Sequence, residues 1–421
     1  MAVDTYKGVR DFYPEDERVQ RYILGVMSRT AERFGYEPYN ASILEPTELY
    51  SEKTSEEIVA EQTYTFTDRG GRSVTLRPEM TPTAARMIAR RKRALGFPLR
   101  WYSIPNVFRY ERPQRGRLRE HWQLNVDIFG VEGAAADAEI IELAYSVMKG
   151  FGATDDMFSI KIADRNLLET AFDAVGMDEK QRTAYRRLLD RRAKISKQEF
   201  DAEAKKIIVG KQDPIALIDG PDDSVKEAEC AVRGLVDILQ ARGVTNAEFD
   251  PGIVRGFDYY TGMVFEIYDT AGDNTRSLFG GGRYDYLVEE YGTEHVPAVG
   301  FGMGDVTARD FLETHGLLPE TRATADLYLA PVSPGDTERA AGIAALWRAK
   351  GANVALGMKH DKMEGHIKAA TKLAIPFFAA YGEKEVASGT VTLKDLQTRK
   401  ERSVAVENVP QTLIDARPER E

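Results

Sequence analysis

The chain has 421 residues, 43% hydrophobic and 29% charged, with a mean hydropathy of -0.40, enough apolar mass for a soluble globular protein of two or three domains. A net charge of -10 and a pI near 5.3 argue against a protein that coats nucleic acid indiscriminately, while leaving room for a local basic track. The single cysteine, Cys230, excludes an intrachain disulfide and a thiolate zinc site, and no metal site is expected from the five histidines, which lack HExxH-type spacing.

The start of the chain has no apolar run of signal-peptide length, and no stretch approaches the ~20 apolar residues of a membrane span, so the expected location is the cytoplasm. KGVRDFYP leads into DERVQRYILGVMSRTAERFGY, whose apolar positions recur at helical spacing and stop at Gly35. EPYNASILEPTELYSEK follows as an extended segment, in which Pro46 suits an edge strand or a junction between subunits. TYTFTDRGGRSVTLRPE predicts a hairpin turning at Asp68, Arg69, Gly70 and Gly71, with Ser73, Thr75, Arg77 and Glu79 on one side. Thr81 and Pro82 then open a helix. At this corner two readings stand side by side: Glu79 and Thr81 hold an ammonium group, or Thr81 simply caps the helix. Arg86, Arg90, Arg91, Lys92, Arg93 and Arg100 follow, a basic track that fits either a solvated helix end or RNA contact.

The densest stretch is FRYERPQRGRLREHWQLNVDIFG, residues 108–130. Trp122, Leu124, Val126 and Ile128 alternate with Gln123, Asn125 and Asp127, the period-2 pattern of a half-buried strand. Val107, Arg109 and Glu111 share a face of a second strand, and the loop between the two carries Arg112, Arg115, Arg117 and Arg119. One face of this hairpin is a row of amide, carboxylate and guanidinium groups. Such rows are commonly the wet side of an antiparallel sheet. A solvated strand would favour Thr, Lys and Glu, however, so a binding site is the preferred reading. Arginine grips phosphate in bidentate fashion, and the guest this predicts is a polyphosphate, with a nucleic-acid backbone beside it.

After Gly130, EGAAADAEIIELAYSVMKGFGA reads as a helix ended by Gly150 and Gly152, then FSIKIAD as a strand. Residues 167–243 are rich in helix formers and charge, an inserted helical module broken by DGPDD. In VRGFDYYTGMVFEIYD, the residues Arg255, Asp258, Tyr259 and Tyr260 crowd charge and hydroxyls beside apolar strands. Gly280, Gly281 and Gly282 remove side chains where a backbone or ligand comes close. The alternation of Gly300, Gly302 and Gly304 fits no GxGxxG, and no GxxxxGK[ST] occurs, so a bound nucleotide would lie on an antiparallel sheet. From about Ala323 strands and helices alternate through ADLYLAPV, GDTERAAGIAALWRAKG, ANVALGM, MEGHIKAATKLA and IPFFAAYG to a hairpin in TVTLKDLQTRKERSVAV, which predicts a separate α/β domain.

KGVRDFYP, TLRPEMTPT, FRYERPQRGRLRE, QLNVDIFG, RGFDYYTGMVFE, GGGRYDYL and PAVGFGMG stand in the order and approximate spacing of the histidyl-tRNA synthetases, a class II aminoacyl-tRNA synthetase family. The chain resembles that family over nearly its whole length. The resemblance implies an α+β fold: a six-stranded antiparallel class II sheet flanked by helices in a catalytic domain (residues 1–322, insertion about 167–243), and a C-terminal α/β anticodon-binding domain (323–421). It implies a homodimer formed partly through the segment around Pro46. The activity implied is ligation of histidine to its tRNA through a histidyl adenylate, with ATP as substrate and Mg2+ accompanying it.

By the same resemblance, Arg109 clamps the α-phosphate, Glu111 meets the adenine amino group and Arg117 the outer phosphates. Glu79 and Thr81 hold the histidine amino group and Gln123 its carboxylate, while Asp127, Tyr259, Tyr260 and Tyr284 line the pocket around the imidazole. Arg255 is the cationic catalyst at the α-phosphate, and Arg112 and Gln114 face the tRNA acceptor end. Three departures stand out. GFGMGDVTARDFL has Thr307 where the family's third motif carries an adenine-stacking arginine, with Arg309 two positions on as the candidate replacement, although a helix turns ~100° per residue. His121 stands where an aromatic covers the other adenine face, and Asp127 where many members have glutamate. A non-enzymatic paralogue that regulates ATP phosphoribosyltransferase is the competing class. It lacks the anticodon domain and tends to lose the arginine-rich loop and RGFDYY, all present here.

Overall fold

In the computed structural model, which describes residues 3–417 apart from 51–61, 193–194, 219, 221–222, 254–258, 273–275, 321 and 360–361, helix α1 (Pro14–Arg33) opens with proline in its first turn. Glu15, Asp16 and Glu17 follow, where carboxylates complement the helix dipole, and Gly35 at φ +78° ends the element. Next come β1 (Glu37–Pro38), β2 (Leu44–Pro46), β3 (Tyr64–Thr67) and β4 (Ser73–Leu76). The predicted hairpin is β3 and β4: Asp68 Oδ1 accepts the Gly70 and Arg72 backbone N–H groups, and Gly71 takes φ +80°. Pro46 lies on β2, an edge of the small sheet β2-β4-β3, where a missing N–H is tolerated. Helix α2 (Thr81–Arg91) then leads to β5 (Leu99–Ser103), β6 (Asn106–Phe108) and β7 (Glu120–Phe129).

Beyond β7 lie α3 (Ala134–Gly150), β8 (Phe158–Asp164), and the helices α4 (Arg165–Ala174), α5 (Glu179–Asp190), α6 (Lys197–Ile207), α7 (Pro214–Ile218) and α8 (Asp223–Ala241). Strands β9 (Ala247–Phe249), β10 (Met263–Asp269), β11 (Ser277–Arg283) and β12 (Ala298–Gly304) and helix α9 (Asp305–Thr314) complete the sequence of elements to residue 319. The main sheet runs β1-β5-β7-β12-β11-β10-β8-β9, with β6 paired to β7. Its six inner strands are antiparallel throughout, and only the short edge strands β1 and β9 are parallel to their neighbours.

Leu124, Val126 and Ile128 of β7 share one hydrophobic core with Ile23 and Met27 of α1 and Ile140 of α3. Phe172 of α4 and Leu239 of α8 belong to that same core, so these two helices of the insert also back the sheet. Each such side chain contributes roughly 1.5–3 kcal/mol on full burial. Where the period-2 pattern predicted a half-buried strand, β7 is covered on its polar face too. It is not wet: Asn125 and Asp127 are each 2% exposed, because β7 lies inside the sheet with a second cluster, including Ala84, Ala85 and Ile88 of α2, over that face. The strand predicted through Glu111 also stops early, at Phe108, although Arg109 still donates its backbone N–H to Arg119 O at 2.9 Å.

The chain divides into two compact units, Met1–Pro319 and Glu320–Glu421. The second contains β13 (Leu327–Pro331), α10 (Thr337–Ala349), β14 (Val354–Leu356), α11 (Met363–Lys372), β15 (Phe377–Tyr381), α12 (Glu383–Ser388), β16 (Thr390–Asp395), β17 (Glu401–Ala405) and α13 (Val409–Asp415). Its sheet, β14-β13-β15-β16-β17, is parallel through β15 and ends in the expected hairpin. Helices α12 and α13, six and seven residues long, are too short to show a helical period in sequence. Among the described residues no helix is long and apolar enough to cross a membrane.

Candidate active site

Met80 occupies the N-cap of α2 without a side-chain cap bond, and Thr81 is already helical. The capping reading of Thr81 therefore falls. The corner instead presents Glu79, 2% exposed, whose Oε2 accepts the Tyr259 hydroxyl at 3.1 Å. Burial first, and the Glu79 carboxylate second, push the Tyr259 hydroxyl well above the ordinary tyrosine range, with a hydrogen bond from Thr81 acting the other way. Tyr259 thus stays protonated. Its ring lies 5.0 Å from that of Tyr260 and 5.7 Å from that of Tyr284.

Asp127 closes the opposite side. The Tyr284 hydroxyl donates to Asp127 Oδ1, while Asp127 Oδ2 is buried without a hydrogen-bond partner. Burial raises the Asp127 carboxyl to about 7, against the opposing effect of Tyr284. The glycine alternation on β12 is explained by register: Gly300 pairs with Asp127, Gly302 with Asn125 and Gly304 with Gln123. A Cβ on Gly300 would stand 2.1 Å from Asp127 Oδ1, and one on Gly302 would stand 2.6 Å from Gln123 Nε2. Glycine there gives the polar side chains of β7 their room, and a dinucleotide loop is not involved. Gln123 in turn donates to Asn125 Oδ1 at 2.7 Å, and Asn125 returns a bond to Gln123 O at 3.0 Å.

Arg109 joins this cluster from the end of β6, donating Nε to Pro78 O at 2.9 Å, one residue from Glu79. Its charge also acts on His121, whose imidazole is lowered to about 3, chiefly by burial, and is therefore neutral. The loop beyond is closed by backbone pairing of Gln114 with Arg117, and Arg117 lies 3.5 Å from Glu111. Arg112 and Gln114 are exposed on it. Arg115 donates to Asp310 of α9 at 2.8 Å, and a Cβ on Gly116 would lie 3.5 Å from Thr307 Cγ2, so the loop rests on the helix that carries Thr307.

The structure does not bring Arg309 to this place as a free guanidinium. Its Nε donates to Glu313 at 2.8 Å and its terminal nitrogen to Asp16 of α1 at 3.2 Å, because two helical positions past Thr307 the side chain leaves on another face. Arg255 and Asp258 lie outside the described residues. Half of the second basic track is tied up internally: Arg86 pairs with Glu45 at 2.8 Å, Lys92 with Glu294 at 2.8 Å and Arg100 with Glu139 at 2.6 Å, while Arg90, Arg91 and Arg93 are exposed.

Sequence reasoning missed three features. Asp305, fully buried at the head of α9, accepts the Trp122 backbone N–H at 2.9 Å, Gln20 at 2.8 Å and Arg10 at 2.7 Å, which gives the arginine of KGVRDFYP a role in fixing α9 to β7. Tyr39 and Ser103 border the Asp127 pocket; the signal for Ser103 in sequence was its alternation with Trp101 in a short strand, and Tyr39 had none.

Comparison with known proteins bears on the family and the fold. The family model described as "Histidyl-tRNA synthetase" matches residues 8–305, and one described as "Anticodon binding domain" matches 326–416. The histidine-tRNA ligase of Leptospira biflexa is 40% identical over 412 residues, covering 95% of this chain and 94% of the relative. That of Thermoplasma volcanium is 36% identical over 420 residues, covering 96% and 97%. Among solved structures, the histidyl-tRNA synthetase of Nostoc superposes with a TM-score of 0.82 at 23% identity, covering 98% of this chain and 99% of that one, and the apo enzyme of S. aureus with a TM-score of 0.73 at 23% identity, covering 98% and 100%. Those two likenesses bear on the fold alone. By the family match and the relatives together, the chain belongs to the histidyl-tRNA synthetase family.

Proposed function

We propose that this chain activates L-histidine with ATP and transfers it to the 3′ end of histidine tRNA. The observation that carries this reading is the buried cluster of Glu79, Tyr259, Asp127 and Tyr284 beside Arg109, on the floor of an antiparallel sheet. Glu79 is an acceptor for the amino group, with the Thr81 hydroxyl beside it. Gln123 is the amide for the carboxylate. Asp127, with Tyr260 and Tyr284, faces the imidazole, which needs an acceptor for its ring N–H.

In the first step a carboxylate oxygen of histidine attacks the α-phosphorus and pyrophosphate leaves. In the second, the terminal ribose 3′ hydroxyl attacks the acyl carbon and AMP leaves. Neither step requires a side-chain nucleophile. Negative charge gathers at the α-phosphate, so a guanidinium fixed in advance stabilises the transition state beyond the ground state. Arg109 is one such group and Arg255 the second. Glu111 and Arg117 serve the adenine and outer phosphates, and neutral His121 offers an uncharged ring to the base. Magnesium enters with ATP as part of the substrate, held mainly through phosphate oxygens. Arg112 and Gln114 face the acceptor end of the tRNA, residues 323–421 its anticodon, and two copies associate through the segment around Pro46, in the cytoplasm.

The test is histidine-dependent ATP-pyrophosphate exchange by the purified chain, followed by charging of histidine tRNA with and without its extra 5′ guanosine. Exchange with histidine and not with the other amino acids is expected. Histidine binding without exchange would favour a histidine-sensing regulator and overturn the proposal.

A further inference from the structure

Three buried polar atoms near the pocket make no hydrogen bond of ordinary geometry: Asp127 Oδ2, Tyr39 Oη and Ser103 Oγ, the two hydroxyls meeting each other only loosely. Strand register brings their residues together. Trp101 pairs with Asp127 and Ser103 with Asn125, so all four side chains emerge on one face of the sheet. Tyr39 is anchored over the same edge, its N–H donated to Tyr102 O at 2.9 Å and its ring 5.3 Å from that of Trp101. Its hydroxyl neighbours Ser103 and senses the charge of Asp127, as Tyr284 does from the other side. A buried polar group left unpaired costs ~1–3 kcal/mol, so a cluster of them calls for a guest with several donors and acceptors.

We propose that Tyr39 and Ser103 are specificity-determining residues of the amino-acid pocket: with Asp127 Oδ2, their hydroxyls hold one water against the ring of bound histidine and fix the orientation of the carboxylate that accepts from it. One water suits the socket, since it donates to the carboxylate while exchanging bonds with the two hydroxyls, each of which both donates and accepts. Apolar side chains would fill the space without meeting that need. This inference rests on the histidine-activating reading above and extends it to residues outside every recognisable motif.

The experiment is histidine-dependent ATP-pyrophosphate exchange by the full-length chain carrying Tyr39→Phe, Ser103→Ala or Ser103→Thr. The first two are expected to raise the histidine KM about tenfold, the equivalent of one hydrogen bond, while kcat and the ATP KM stay within twofold. Ser103→Thr, which keeps the hydroxyl, is expected to retain the wild-type KM. Asp127→Glu, which pushes the carboxylate one methylene into the socket, should make a further Tyr39→Phe change nearly silent. Histidine KM within twofold of wild type in both hydroxyl deletions overturns the assignment, as does a fall in kcat at unchanged KM. Failure of the wild-type chain to exchange with histidine would instead remove the functional reading itself, a result distinguishable from either.

Discussion

Gly300 lies directly across from Asp127 on the adjoining strand, and a Cβ at that position would stand 2.1 Å from Asp127 Oδ1 and 2.6 Å from Val126 O. A carboxylate with so little clearance is held by the absence of a side chain as much as by the Tyr284 hydroxyl. Gly300→Ala is therefore expected to displace Asp127 and to cut kcat/KM for histidine by about 100-fold or more, with a loss of ~1–3 kcal/mol in stability from the backbone clash. Exchange kinetics beside thermal unfolding would decide it; near-normal histidine kinetics would disconnect Asp127 from the substrate.

Asp127 also predicts a pH dependence. Burial raises its carboxyl from 3.8 to about 7, with Tyr284 and Tyr39 facing it. The ionised form is the one that accepts from a ring N–H, so kcat/KM for histidine should decline as pH falls through about 7, added to the protonation of free histidine itself. Asp127→Asn should remove that part of the decline. The sign for stability is opposite: a carboxyl whose folded value lies above its unfolded one binds protons on folding, so its contribution is present below about 4 and is lost as pH rises to about 7. At pH 8 the asparagine variant should consequently melt no lower than wild type while binding histidine worse. A lower Tm at pH 8 would count against an uncompensated charge at this site.

Arg255 carries a prediction from the proposed chemistry. Arg255→Ala should depress histidine-dependent exchange by at least 100-fold, since a preorganised cation at a developing oxyanion is worth ~3 kcal/mol, while histidine binding by calorimetry changes little. Exchange surviving within tenfold would remove it from the mechanism.

Arg309 should behave differently from the stacking arginine of the family's third motif. Its guanidinium is engaged by Asp16 and Glu313, both partly exposed, and such pairs contribute at most ~1 kcal/mol. Arg309→Ala is expected to leave the ATP KM within twofold and to lower Tm slightly. A tenfold rise in the ATP KM would mean that the side chain swings to the nucleotide.

The exposed loop gives a split between the two half-reactions. Arg112→Ala with Gln114→Ala should reduce charging of histidine tRNA while ATP-pyrophosphate exchange stays near wild type, because both residues are exposed on the loop whereas the cluster is buried. Equal losses in both assays would place the loop on ATP instead.

The legible parts of this protein are those fixed by neighbours in sequence. Alternation in β7, the Asp68–Gly71 turn, the proline at the start of α2, and the ordered motifs from KGVRDFYP to PAVGFGMG were sufficient to anticipate an antiparallel sheet and a run of helices after it, and they named the residues proposed for the pocket. Periodicity reports how side chains divide between two faces, and turn residues report φ, both local quantities. The same local view read β7 as half-buried, where the structure covers both of its faces, and let the second hairpin strand run to Glu111.

Only the tertiary structure decided which polar groups meet. Strand order and register put glycines of β12 opposite the two amides and the carboxylate of β7, closed that face with α2, set Ser103 on the same face as Asp127, and turned Arg309 toward α1. These are pairings between segments far apart in the chain, and they are set by which apolar faces bury together. A side chain's partners, its charge state and its access to solvent follow from that burial, so no pattern within one segment could have contained them.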